Sequence, residues 1–323
     1  MHIPRTQLLA SLGVALLPAA VTAHPVVESS IVKRALSTSD TTILQLALYL
    51  EHLEFSLYSG GCDNFNDAQY TAQGFPAGFR ENVCVIADQE DTHANTIAAV
   101  LNANGIEPVP TCSYTFTYTD PKTFVSLANM ITSVGVGAYL GGSQNLTDNA
   151  PLLVEAGSIL TTEARHDAYL RAGIGASPFP NSFDTALSAV WAYNLAQMFI
   201  VSCPMPLPLT LLPKLNLTAP TPPLNLQPPT PAGTVLSFAW DPATFFVPVA
   251  PATPLYIALI NQDVQTPTFL PVTSTGSGAG TVAVPDGFAG VAFAVLTTFS
   301  GGLTENELSA FGTLAGPAEV VLS

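Results

Sequence analysis

The sequence predicts an α + β chain of two domains: a four-helix bundle with an extra helix, then a Pro-rich linker and a C-terminal antiparallel β-sandwich. Three observations carry this. Apolar residues recur at helical spacing from Thr41 to Val201, whereas short β-rich runs fill the chain after residue 231. Between them lies "CPMPLPLTLLPKLNLTAPTPPLNLQPPTP", too dense in proline for helix and suited to an extended linker or a strap packed on a surface. The boundaries that follow are 38–203 for the bundle, 204–231 for the linker and 232–323 for the sandwich.

The first residues precede the fold. Arg5 is followed by the apolar stretch Leu8 to Val21 and by the small-residue site Val21-Thr22-Ala23. This is the pattern of a secretory signal peptide over 1–23, too short and wrongly flanked for a membrane span. Lys33-Arg34 then marks the end of a pro-segment, 24–34. Without residues 1–34 the chain has five basic residues against twenty-two acidic ones, a formal charge of −17. Such a balance disfavours nucleic acid and anionic membrane surfaces, which need a positive face. No later stretch reads as a membrane span. Cys62, Cys84, Cys112 and Cys203 make an even count, which in an oxidising compartment means two disulfides. Asn145-Leu-Thr and Asn216-Leu-Thr are glycosylation sequons. Together these place the protein outside the cell.

Each helix has its signals. The first runs about Thr41 to Ser59, capped by Ser39 or Asp40 and stopped by Gly60-Gly61. The second covers Arg80 to Asn104, before Gly105. The third opens at Asp120-Pro121, an N-cap with proline at the first helical position, and continues to Leu140. The fourth spans Pro151 to Ala172, and the fifth Phe183 to Val201. After the linker, "TVLSFAW", "FFVPVA", "PLYIALI", "TFLPVT", "GTVAVP", "GVAFAVLTTF" and "AEVVLS" are spaced as the strands of a sandwich. That second domain has no cysteine and no histidine, and its acids form no cluster. It reads as a structural or binding module for a cell-wall or extracellular partner.

The chemistry lies in the bundle. Glu90-Asp91-Thr92-His93 and Glu163-Ala164-Arg165-His166 repeat one spacing, Glu-x-x-His. Residues three apart share a helical face, so each pair can aim two ligands at one spot. Glu-x-x-His from each of two helices, plus one Glu from each of the other two, is the ligand set of di-iron and di-manganese carboxylate bundles. Glu51 on the first helix supplies one of those. Measured from the end shared by the first and second helices, Glu51, Glu90 and Glu163 all fall about 12 to 15 Å down at ~1.5 Å per residue. The connection 106–119, about 45 Å long at ~3.3 Å per residue, is long enough to return the chain to that end. The third helix then descends beside the second. It carries no acid, and Thr132 stands at the corresponding level. Glu54, one turn above Glu51 and about 60° round the helix, is either a substitute ligand or a solvated or hydrogen-bonded residue. His52 points about 100° away from Glu51 and reads as a surface or hydrogen-bonded residue. Tyr58, Tyr139 and Tyr169 read as core aromatics. The same helix directions put Cys62 near Cys84 at one end and Cys112 near Cys203 at the other.

"LALYLEHLEFSLY", "IADQEDTHANTIAAVL", "VGVGAYLGG" and "AGSILTTEARHDAYLRAGIG" resemble the secreted fungal ferritin-like family, which includes stress-response and desiccation-related proteins. The similarity covers 38–203, and the closing "LAGPAEVVLS" resembles the end of longer members. The resemblance implies that Glu51, Glu90, His93, Glu163 and His166 are metal ligands for Fe or Mn, as one or two ions. Members of the family carry glutamate where this chain has Thr132, a departure that bears on the second ion. Two functions stay open: a secreted metal-binding protein with oxidase-like or stress-related activity, and a catalytically inactive bundle with a structural, cell-wall or stress role.

Overall fold

The computed structural model describes residues 35–220, 233–262 and 267–322. The expected signal peptide and pro-segment lie outside the described residues, as does the stretch 221–231 of the expected linker. Ser37 opens α1 (Thr38–Asn64), accepting from the Asp40 backbone while Asp40 caps in return. This start is one turn earlier than the sequence suggests, because the serine three residues before Asp40 completes a reciprocal box. The helix also runs through Gly60-Gly61, the expected stop. Those glycines serve close packing: a Cβ on Gly61 would overlap the Phe124 ring, and one on Gly60 the Tyr118 hydroxyl. A short α2 (Asp67–Ala72) follows, capped by Asn66 and Gln69. Then come α3 (Phe79–Ala103), α4 (Pro121–Gly142) and α5 (Ala150–Gly173). Asp120 caps α4 with proline at its first position.

Side-chain rungs give the helix directions. Tyr58 meets Thr132 and Glu51 meets Tyr139, so α4 runs antiparallel to α1. Asn82 reaches Tyr169 and Gln89 reaches His166, so α5 runs antiparallel to α3. Cys62–Cys84 closes one end of the bundle, and Cys112–Cys203 the other. Between α3 and α4 the chain crosses back along the bundle: Gln45 holds the Glu107 carbonyl and the Val109 N–H at one end, and Asn64 reaches the Tyr118 hydroxyl at the other. One expectation needs correction. α4 packs against α1 and α5 instead of descending beside α3, because the crossover carries the chain to the far side of the helical pair. Among the described residues α4 is the one helix long and apolar enough to cross a membrane, but 83% of its apolar window is buried inside the protein.

The fifth helix is shorter than its periodicity suggests. Only α6 (Ala189–Ala196) is α-helical. Residues 185–188 instead cross α4 in extended form, with the Leu187 N–H bonded to the Gly137 carbonyl. A Cβ on Gly141 would overlap the Leu187 backbone, so small residues on α4 make this crossing possible. After α6, a 3-10 turn at Gln197–Phe199 leads into β2 (Ile200–Ser202), which pairs with β1 (Ser113–Tyr114). That pairing competes successfully with continued helix.

The C-terminal half holds two four-stranded antiparallel sheets. One comprises β3 (Leu215–Ala219), β4 (Val235–Trp240), β8 (Ala279–Ala283) and β7 (Thr273–Gly276) in that order. The other runs β10 (Ala315–Val321), β9 (Val291–Thr297), β5 (Tyr256–Ile260) and β6 (Thr268–Pro271). β3 comes from the proline-rich stretch. "FFVPVA" forms no strand; Phe246 and Val247 are exposed there, and prolines 242, 248 and 251 remove ladder donors. Leu236, Phe238, Ile257, Leu259, Ala294 and Leu296 fill the space between the sheets. The other face of β9, Val291, Phe293 and Val295, packs into the helical core, so every residue of β9 is buried and the sequence alternation disappears. A helical turn, α7 (Glu305–Glu307), opened by the Thr304–Glu307 capping box, fastens the two parts: Glu305 accepts from the Ser188 N–H, and Ser188 bonds Ser309.

Candidate metal centre

Glu51, Glu90, His93 and Glu163 bring one ligand atom each to within 4.8 Å of one another. All three carboxylates are 0% exposed, and the His93 residue is 9% exposed. His93 Nδ1 lies 3.0 Å from Glu90 Oε2, 3.3 Å from Glu51 Oε2 and 3.4 Å from Glu163 Oε1. His166 turns the same nitrogen inward, with Nδ1 3.0 Å from Glu90 Oε1 and 3.8 Å from Glu163 Oε2. Its other nitrogen, Nε2, donates to the Gln89 side-chain carbonyl at 2.7 Å. A histidine that gives one N–H to a carbonyl keeps the other nitrogen free for a cation. All five residues named from the sequence thus meet in one buried layer, because the antiparallel helices bring equal distances from their ends to one level.

The remaining wall comes from α4. Tyr139 donates to Glu51 Oε1, and Thr132 bonds the Tyr58 hydroxyl at 2.5 Å. Between these, Gly135 leaves room for Glu54, whose carboxylate is buried against it. Glu54 is therefore neither solvated nor hydrogen-bonded: both its oxygens lack a hydrogen-bond partner. Gln89, Tyr58 and Tyr139 join the centre beyond the residues expected from the sequence. Thr132 and Tyr139, seven residues apart, share a helical face, a signal that was available for the tyrosine. His52 stands off, its Nε2 3.3 Å from the Val109 carbonyl.

Burial and mutual repulsion set the proton balance. Burial, with the neighbouring Glu90 and Glu163, pushes the Glu51 carboxyl up to about 8. The same causes hold Glu54 well above the usual carboxylate range. Burial alone would lower His93 and His166, but the facing carboxylates raise them to about 12 and about 9. Burial would raise Glu90, yet the two histidines bring it down to about 2. The metal-free cluster therefore favours protons on Glu51, His93 and His166 at neutral pH, where a cation's charge would otherwise stand.

The donor set fits a hard or borderline cation. Both Glu163 oxygens, Glu90 Oε1 and His166 Nδ1 lack hydrogen-bond geometry although Glu163 Oε1 lies within ion-pair reach of His93 Nδ1, and Glu163 Oε2 and Glu90 Oε1 within reach of His166 Nδ1. Carboxylate oxygen with imidazole nitrogen suits Fe, Mn and Zn. No thiolate competes among the described residues, since the four cysteines are paired.

An antiparallel bundle whose four long helices enclose buried glutamates and Glu-x-x-His pairs has the architecture of the carboxylate bundles. Residues 39–176, which hold the four long helices, match the family model of the ferritin-like domain, so the helical part of this chain has the ferritin-like fold. Among curated proteins, the chain is similar to Protein rds1 of Schizosaccharomyces pombe (strain 972 / ATCC 24843), 27% identical over 293 residues, with 80% of this chain and 71% of the relative covered.

Proposed function

We propose that the bundle binds iron or manganese through Glu51, Glu90, Glu163, His93 and His166, in a secreted protein. The supporting observation is the buried layer in which Glu51, Glu90, His93 and Glu163 bring ligand atoms to within 4.8 Å of one another, several of the carboxylate oxygens lying outside hydrogen-bond geometry. Gathering carboxylates and imidazoles in one buried layer costs several kcal/mol of desolvation per ion that pairing only partly offsets, and apolar side chains of similar size would serve an inert bundle better. A cation turns that cost into binding.

When bound, a redox-active ion supplies electrons for reaction with dioxygen, which is the oxidase-like reading of this site. The chain's own residues have narrower tasks. Glu51, Glu90 and Glu163 offer oxygens from three helices, while His93 and His166 offer Nδ1. Gln89 fixes the His166 ring, and Tyr139 orients Glu51 by donating to its Oε1. Secretion accords with the two disulfides and with sequon asparagines 145 and 216, both exposed. The β-domain would then face an extracellular or cell-wall partner.

The test is anaerobic titration of chelator-stripped protein with Mn(II) and Fe(II), comparing wild type with Glu163→Gln and His166→Gln. Each variant keeps side-chain volume and removes one donor. Affinity should fall at least about tenfold in both. Unchanged affinity in both would remove these residues from the site.

A further inference from the structure

The ligand set of a carboxylate bundle draws one glutamate from each of the four helices. Here α4 contributes none, for it carries no acid between Lys122 and its end at Gly142. Instead α1 carries two buried glutamates, Glu51 and Glu54. We propose that Glu54 is the fourth carboxylate of the centre, brought across from α1 to the position that Thr132 leaves without one, so that the layer holds two divalent cations. This extends the proposed function and rests on it.

Three rungs between α1 and α4 locate Glu54. Tyr58 meets Thr132 above it, and Glu51 meets Tyr139 below it. On the middle rung Glu54 lies against Gly135, where a Cβ would stand 2.9 Å from its Oε1 and 3.1 Å from its Oε2. Any other residue at 135 would press on this carboxylate. The missing side chain on α4 is what lets a glutamate from α1 occupy the α4 wall. Gly135 is one turn past Thr132, so the displaced carboxylate comes within about a helical turn of the level where the family's glutamate would sit.

The bland alternatives do not account for Glu54. A solvated glutamate would be exposed, but this one is 1% exposed. A structural glutamate would hold a backbone N–H, a hydroxyl or a cationic side chain, and neither oxygen does. Glu305, buried to a similar degree, shows the structural pattern by accepting the Ser188 N–H. Thr132 is itself no candidate ligand, because its hydroxyl is engaged by Tyr58. A buried carboxylate with both oxygens unmatched, at the edge of a cluster rich in donor atoms, has a cation as its natural partner.

The experiment counts ions. Chelator-stripped protein is titrated anaerobically with Mn(II), with stoichiometry read by calorimetry and pairing of the ions read by electron paramagnetic resonance. Wild type should take two ions per chain and give the spectrum of a coupled pair. Glu54→Gln should weaken the second ion at least about tenfold and give the spectrum of isolated Mn(II). Gly135→Ala, which leaves the glutamate in place but pushes it off α4, should also weaken the second ion. Adding Thr132→Glu to the Glu54→Gln variant should return it. Metal-free Glu54→Gln should be no less stable than wild type, since neither oxygen of the carboxyl it replaces makes a hydrogen bond.

Two ions in wild type and in Glu54→Gln alike, at equal affinity, would overturn the proposal. So would a single ion in both, or a metal-free Glu54→Gln protein that is less stable with unchanged stoichiometry. No ion in wild type would instead refute the metal-binding reading itself, and the two failures are distinct.

Discussion

Replacing Cys112 and Cys203 together by serine should destabilise the protein more than replacing Cys62 and Cys84. The bonds span 91 and 22 residues. In the chain-entropy model the longer loop contributes about 4.6 kcal/mol and the shorter about 3.4 kcal/mol at 25 °C, a difference of about 1.2 kcal/mol. Other local contacts should change little on substitution. Serine at 203 keeps a hydroxyl near Tyr49, whose own hydroxyl lies 3.2 Å from the Cys203 sulfur. The longer bond also ties the crossover after α3 to the segment after α6, where β1 and β2 pair. Without it, the ends of a loop containing α4, α5 and α6 lose their covalent closure. Urea unfolding of chelator-treated protein, followed by far-ultraviolet circular dichroism, gives both free energies on one scale. If the Cys62–Cys84 pair costs as much as the other or more, loop closure is not what these bonds contribute.

Glycine substitutions separate packing from propensity. Gly141→Ala should cost about 1–3 kcal/mol or more, because the new methyl would stand 2.6 Å from the Leu187 carbonyl carbon and 2.9 Å from its nitrogen. Gly157→Ala, in α5 with nothing within 4 Å of the added carbon, should stabilise by roughly 0.5–1 kcal/mol; thermal melts of the two variants check the contrast. pH should act in opposite directions on the metal-free and loaded protein. After burial, which lowers them, the carboxylates raise His93 to about 12 and His166 to about 9, and burial raises Glu51 to about 8. Each folded value lies above its unfolded one, so their stabilisation is present at low pH and is lost as pH rises, for Glu51 from about 4.3 to 8 and for His166 from about 6.5 to 9. The metal-free Tm should therefore fall between pH 6 and pH 9. Mn(II) affinity should rise over the same range, because coordination must displace those protons. A metal-free Tm that climbs toward pH 9 would contradict the proton assignment.

Much of this could be read from residue order. Asp120-Pro121 marks the start of α4 without tertiary help, since cap and proline are local signals. The repeated Glu-x-x-His places His93 and His166 in the layer because helical rise is constant, so counting from the ends suffices. Other features depend on contacts between distant segments. Gly60-Gly61 reads as a stop, yet Phe124 and Tyr118 need that space. The stretch Phe183 to Val201 has helical spacing throughout, but the crossing of α4 at Gly137 and the β1–β2 pairing claim its two ends. β9 loses its alternation because the helical domain covers its outer face. Thr304-x-x-Glu307 is a legible capping box that marks the turn holding Glu305. At the centre, Glu54 was undecided in the sequence because its partner on α4 is an absent side chain, that of Gly135.

The most direct test of the central claim is the metal content of the protein as purified, without chelators or a histidine tag, by inductively coupled plasma mass spectrometry. The account predicts iron or manganese at one ion per chain or more, retained through gel filtration and lost from the protein in which both His93 and His166 are replaced by glutamine. Protein that is folded, as judged by circular dichroism, yet carries no transition metal and takes up none from Fe(II) or Mn(II) would contradict it.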